Sequence, residues 1–196
     1  MLTSWLREKS RSILEPIARV LQATHISPNM LTVIGFIFAL GVAFVLASGQ
    51  LRLGGILMIL AAVFDAFDGT LARVSNRTSR FGAFLDSTLD RYSESVIFVG
   101  LLFYYFQVGL QTEAILVVVS LVGSLMVSYT RARAEGLGLD IKSGLLTRVE
   151  RVVILIVGLI SGWMLIALWL LAILTNVTAL QRIYAAWRLT GGERGH

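Results

Sequence analysis

The sequence predicts an all-α integral membrane protein: six transmembrane helices preceded by an N-terminal amphipathic surface helix, forming a single membrane domain over residues 1–196. Three observations carry this. The 196 residues are 56% hydrophobic and only 15% charged, against about 45–50% and about 25% in an ordinary soluble domain. Long uncharged stretches recur along the chain. At about 20 residues per crossing, the length accommodates roughly six spans with short connections. Backbone in lipid must satisfy its own hydrogen bonds, so each span is a helix; the short alternating segments of a β-barrel do not occur. The chain has no cysteine, which excludes a disulfide framework, a thiolate zinc site and thiol catalysis. Its net charge of +5 reads, in so apolar a chain, as loops facing anionic lipid or an anionic substrate, with no nucleic-acid partner.

Residues 1–28 carry Leu2, Trp5, Leu6, Ile13, Leu14, Ile17, Ala18 and Leu21 at helical spacing, interleaved with Arg7, Lys9, Arg11 and Arg19. No cleavage site follows. This segment reads as a juxtamembrane helix lying on the membrane surface. The first span, residues 30–48, holds no charge. A turn at 49–54 leads to a second apolar run, 53–64, too short to cross alone. Continuing it through the next eight residues, to Ala72, places Asp65 and Asp68 inside a helix. A basic loop with Arg73, Arg77 and Arg80 precedes the third span, about 82–108, which carries Asp86, Asp90, Arg91 and Glu94 in its first half. The fourth covers about 113–133. A polar, basic connection, RARAEGLGLDIKSG, follows it. Residues 152–181 have no charged side chain. They exceed one span and break at Ser161 and Gly162, giving helices at about 146–160 and 163–186. With both termini in the cytoplasm, nearly every Lys and Arg falls on that side and only Arg52 lies outside. This predicts a multi-pass cell-membrane protein with a cytoplasmic active site.

The aspartates demand explanation. A carboxylate at the membrane centre costs about 2.5–3.5 kcal/mol even on the lenient insertion scale. Asp65 and Asp68 are three apart and Asp86 and Asp90 four apart, so each pair shares a helix face. The two helices are consecutive and antiparallel, so the four carboxylates converge at the cytoplasmic side. Arginines such as Arg73 and Arg91 supply part of the balancing charge. A hard divalent cation answers better, because carboxylate oxygens suit magnesium, manganese or calcium. Four carboxylates can bridge two metals about 3.5–4 Å apart, an arrangement suited to phosphoryl displacement. Gly69 and Gly82 beside them serve either close helix packing or ligand approach to the backbone.

The constellation Asp65-x2-Asp68-Gly69-x2-Ala72-Arg73-x8-Gly82-x3-Asp86-x3-Asp90 resembles the signature of the CDP-alcohol phosphatidyltransferase family, and no position departs from it. The six-span plan with a surface helix is also similar to that family's. The resemblance implies transfer of a phosphatidyl group from CDP-diacylglycerol to an alcohol, with release of CMP. It implies that Asp65, Asp68, Asp86 and Asp90 hold two magnesium ions, with manganese as the alternative. It gives Asp90 the further role of catalytic general base. Gly69, Arg73 and Ser79 would contact the CDP moiety. Pro28-Asn29-Met30-Leu31-Thr32 resembles the family's start of the first span, and adds Asn29 and Thr32 to the nucleotide site. A homodimer is the family expectation.

The acceptor is read from the second half. Arg131, Arg133, Lys142, Arg148 and Arg151 form a basic cluster that is either an ordinary cytoplasmic loop or a site for an acceptor phosphate. Arg148 and Arg151 share a face, and Arg151 begins an otherwise apolar helix. The string around Tyr129 to Asp140, with Thr147 to Arg151, is similar to the family branch that uses inositol 1-phosphate and makes phosphatidylinositol phosphate. Alternatives are glycerol 3-phosphate as acceptor, an archaeol-type donor and, from another class, a cation transporter using the four carboxylates.

Overall fold

The computed structural model describes residues 27–74, 79–141 and 143–191, with the side chains of Pro28 and of 64–74 outside the description. The expected surface helix before residue 27 lies outside the described residues. Those described form six α-helices and no strand. They are α1, Pro28–Ala47; α2, Leu51–Val74; α3, Arg80–Gln107; α4, Gln111–Gly136; α5, Arg148–Ser161; and α6, Met164–Gly191.

Pro28 opens α1 where the missing N–H costs nothing and its fixed φ suits a helix. Ser27 caps it by accepting the Met30 N–H on Oγ at 3.3 Å. Helix α2 runs unbroken through Asp65 and Asp68 to Val74, as the short apolar run before them requires. Helix α4 begins at Gln111 and continues to Gly136, three residues beyond the expected 133, so Arg131 and Arg133 lie in its last turns. Helix α5 starts at Arg148, two residues later than expected, because its cap sits at Thr147. There the Glu150 carboxylate accepts the Thr147 N–H at 2.7 Å and the Thr147 hydroxyl. Gly162, at φ +80°, closes α5 with its N–H on the Gly158 carbonyl, a left-handed cap that favours glycine. Helix α6 runs to Gly191, five residues beyond the expected 186.

Three helical segments, Asn29–Ala47, Gln111–Gly136 and Met164–Gly191, are long and apolar enough to cross a bilayer. Helix α5 has 14 residues and so rises about 21 Å, short of a hydrocarbon core of about 30 Å. Helix α2 carries its two aspartates after a long apolar run, and α3 carries its acidic residues in a polar first half followed by an apolar second half.

Contacts divide the chain into two compact units: Met1–Val42 with Leu57–Ile97, and Ala43–Ile56 with Phe98–His196. In the first, α1 meets α3 through an edge-on contact of Phe36 with Tyr92, centroids 6.3 Å apart. In the second, α4 and α5 both pack on α6. Its core includes Leu46, Phe98, Leu101, Leu155, Leu159, Leu168 and Leu171, all buried. Small residues bring backbones together there: a Cβ on Gly100 would stand 2.9 Å from Ala43 Cα. Along α4 and α6 the Ser120 hydroxyl donates to the Leu168 carbonyl at 3.3 Å, and Asn176 Nδ2 donates to the Val119 carbonyl at 3.4 Å.

Candidate active site

In the first unit, the start of α3 is built around Gly82. Ser79 Oγ accepts the Gly82 N–H at 2.9 Å and so caps the helix. A Cβ on Gly82 would lie 3.0 Å from Ser79 Oγ and 3.0 Å from Asn29 Oδ1. The starts of α1 and α3 therefore approach closely, with little room for a side chain at position 82. Two nucleotide-site candidates, Asn29 and Ser79, meet at this point. Thr32, the third described one, lies one turn along α1 from Asn29 and is half-buried.

Asp86 stands one turn into α3 from Gly82 and is exposed; Asp90, one turn further, has only 16% of its side chain exposed. Arg91 turns back on its own helix. Its Nη1 donates to the Ser87 carbonyl and lies 3.8 Å from Asp90 Oδ2. One arginine thus supplies part of the countercharge, as the sequence suggested. Asp65, Asp68, Gly69 and Arg73 are on α2, and their side chains are outside the description. Among the described residues no three His, Cys, Asp or Glu side chains gather to hold an ion, since two of the four expected ligands are not among them. The expected donor set is all carboxylate oxygen, which fits a hard divalent cation and suits zinc poorly.

The second unit separates the basic candidates. Arg151 is the buried one, at 3% exposure. Arg148 is half-buried. Arg131 and Arg133 are exposed; Arg131 Nε pairs with Glu135 Oε1 at 2.8 Å across one turn of α4. Two residues apart on a helix, Arg131 and Arg133 point about 200° apart. Lys142 lies outside the described residues. Glu150, part of the motif that suggested the acceptor branch, completes the capping box of α5 with Thr147.

Sequence reasoning missed Arg182. It was counted only among the cytoplasmic positive charges, yet it is 6% exposed and donates to the carbonyls of Ser143 and Val127. The sequence held a signal. Thr175, Thr178 and Arg182 recur at three and four residues through an apolar helix, a polar stripe that an α-helix turns to one face.

The family model for CDP-alcohol phosphatidyltransferases matches residues 25–184. The chain belongs to the CDP-alcohol phosphatidyltransferase family. It is an enzyme, a phospholipid-biosynthesis transferase, and a membrane protein. The transferase is 37% identical over 186 residues to the archaetidylinositol phosphate synthase of Pyrococcus horikoshii, covering 94% of this chain and 96% of that one. It is 36% identical over 188 residues to the phosphatidylinositol phosphate synthase of Mycobacteroides abscessus, covering 91% and 86%. Among solved structures it is similar to the Mycobacterium tuberculosis phosphatidylinositol phosphate synthase with CDP-diacylglycerol bound. There the TM-score is 0.85 at 32% identity, over 90% of this chain and 94% of that one. A second structure of that synthase, in complex with manganese and citrate, gives a TM-score of 0.83 at 31% identity, over 89% and 88%. Family membership sets aside the cation-transporter reading.

Proposed function

We propose that this transferase moves the phosphatidyl group of CDP-diacylglycerol to inositol 1-phosphate, forming phosphatidylinositol phosphate and CMP. The observation that carries the reading is the likeness, over nine-tenths of the chain, to synthases whose names specify that product. In the reaction the acceptor hydroxyl oxygen forms a bond to the phosphorus bearing the diacylglycerol. The bond from that phosphorus to the CMP oxygen breaks, and the hydroxyl proton passes to Asp90. Asp65, Asp68, Asp86 and Asp90 would hold two divalent cations, magnesium by preference, whose charge offsets that of the pyrophosphate. Asn29, Thr32, Gly69, Arg73 and Ser79 hold the CDP end. The meeting of Asn29 and Ser79 at Gly82 supports placing them in one subsite.

The acceptor phosphate falls to Arg151, Arg148, Arg131 and Lys142. The placement of Arg148 and Arg151 three residues apart at the start of α5 supports this, because a guanidinium binds phosphate in a fork. Arg133, facing elsewhere on α4, adds to the positive field. The whole chain acts as one membrane domain with six crossings, a surface helix over 1–28 and both termini and the active site cytoplasmic, and it functions as a homodimer.

The test is purified protein with inositol 1-phosphate or glycerol 3-phosphate, each against CDP-diacylglycerol and CDP-archaeol, following CMP release. Release with inositol 1-phosphate and not glycerol 3-phosphate is expected. Preference for glycerol 3-phosphate overturns the acceptor. The archaeol arm is needed because the archaeal relative is as similar as the bacterial one. Omitting divalent cation, or adding a chelator, abolishes release, and magnesium restores it.

A further inference from the structure

Two buried side chains of α6 hold the connection between α4 and α5. Thr178 is 0% exposed. Its Oγ1 accepts the Leu146 N–H at 3.2 Å and donates to the Leu174 carbonyl at 2.7 Å. One turn on, Arg182 Nε donates to the Ser143 carbonyl at 3.1 Å, and its Nη1 donates to the Val127 carbonyl of α4. Between the two tethered residues, Gly144 adopts φ +145°. A Cβ there would stand 2.9 Å from Thr178 Cγ2 and 3.1 Å from Arg182 Nε. The segment thus lies flush on α6, and only glycine fits it. Leu146, the last tethered residue, is buried and directly precedes the Thr147 cap of α5.

We propose that Thr178 is a positioning residue: by holding Leu146 against α6 it fixes where α5 begins, and so where Arg148 and Arg151 meet the acceptor phosphate. The proposal rests on the reading of these arginines as the acceptor site. Its physical basis is tolerance. One residue of helix is a rise of 1.5 Å, whereas a binding constellation must be held to roughly 0.5 Å. A connection free to slide by one residue would take both guanidinium groups out of forked contact. The Thr178 hydroxyl sets the register by a neutral hydrogen bond, so its effect separates from that of the arginine charges.

The test compares Thr178→Val, which keeps the volume and removes the acceptor of the Leu146 N–H, with Thr178→Ser, which keeps the hydroxyl. Thr178→Val is expected to raise the KM for inositol 1-phosphate about tenfold, the size of one lost buried hydrogen bond. The KM for CDP-diacylglycerol and kcat stay within about twofold, and Thr178→Ser restores the acceptor KM. Amide hydrogen exchange over 143–147 speeds up in Thr178→Val and returns to the wild-type rate in Thr178→Ser. Gly144→Ala attacks the latch from the other side and gives the same split; adding Thr178→Ser, which removes Cγ2, partly relieves it. Equal changes in both KM values, a fall in yield alone, or unchanged exchange in Thr178→Val overturns the latch. If the wild-type protein turns over no phosphorylated alcohol, the functional reading fails, and the exchange comparison still decides the latch.

Discussion

The two units solve opposite electrostatic problems in different ways. The first places Asp86 and Asp90 on successive turns of one helix and Asp65 and Asp68 on another, so the chemistry proposed for it is written in short spacings. The second assembles its basic end from α4, α5 and α6, with Arg182 reaching the carbonyl of Ser143, 39 residues away in sequence. An acidic pair on one helix is fixed by helical pitch. A basic end built from several elements is fixed by what ties those elements together. Changes in the first unit should therefore damage the reaction itself, and changes in the second the grip on the acceptor.

The largest expected effect is at Asp90. Asp90→Asn removes the proton acceptor while keeping the side chain's size. Turnover should fall by about 10²–10⁴, the usual contribution of a positioned acid or base, with CDP-diacylglycerol still bound. Single-turnover kinetics beside a binding measurement checks it. Near-wild-type turnover would remove Asp90 from the base role and break the contrast between the units.

Next comes Arg151. Hydrogen bonds to charged groups are worth about 1.5–3 kcal/mol, so Arg151→Ala should raise the acceptor KM roughly 10- to 150-fold and leave the CDP-diacylglycerol KM nearly unchanged. Steady-state kinetics with each substrate varied in turn measures the split. An equal rise in both would mean that the buried guanidinium organises the whole protein.

Gly82 tests the first unit by shape alone. Gly82→Ala inserts a Cβ 3.0 Å from both Asn29 Oδ1 and Ser79 Oγ, tighter than ordinary packing. The starts of α1 and α3 must then part by a few tenths of an ångström. The expected result is a rise of about three- to tenfold in the CDP-diacylglycerol KM, on the scale of roughly 1 kcal/mol for mild overpacking, with the acceptor KM unmoved.

This contrast also explains what the sequence disclosed. The all-helical membrane architecture followed from composition and from uncharged runs. The acidic spacing and its family followed from residues 65–90, because a helix converts spacing into a shared face without further information. The start of α5 and the end of α4 lie two and three residues beyond expectation because local capping sets them: the Thr147–Glu150 pair starts α5, and the Leu137 N–H closes α4 on the carbonyls of Arg133 and Ala134. Arg182 went unassigned because its partners are carbonyls of Ser143 and Val127. Every residue has a carbonyl, so no pattern of residue types marks which ones an arginine will reach. Only the stripe of Thr175, Thr178 and Arg182 hinted that α6 buries a polar face.

The smallest expected effect sharpens the comparison most within the second unit. Arg131 and Arg133 look alike in the sequence, but helical geometry sets them on different faces of α4, and both are exposed. Arg131 is assigned to the acceptor phosphate with Arg148, Arg151 and Lys142, whereas Arg133 is not. Arg133→Ala should therefore change the acceptor KM by no more than about twofold, as screened surface charges contribute about 0–1 kcal/mol. That small change should shrink further at high salt. Arg131→Ala should have the larger effect, tempered because Glu135 already holds its Nε at 2.8 Å. Acceptor kinetics for both variants across ionic strength decides the matter. Equal effects would mean that the basic end acts as a diffuse field, and the distinction between a built phosphate site and a positive loop would fall with it.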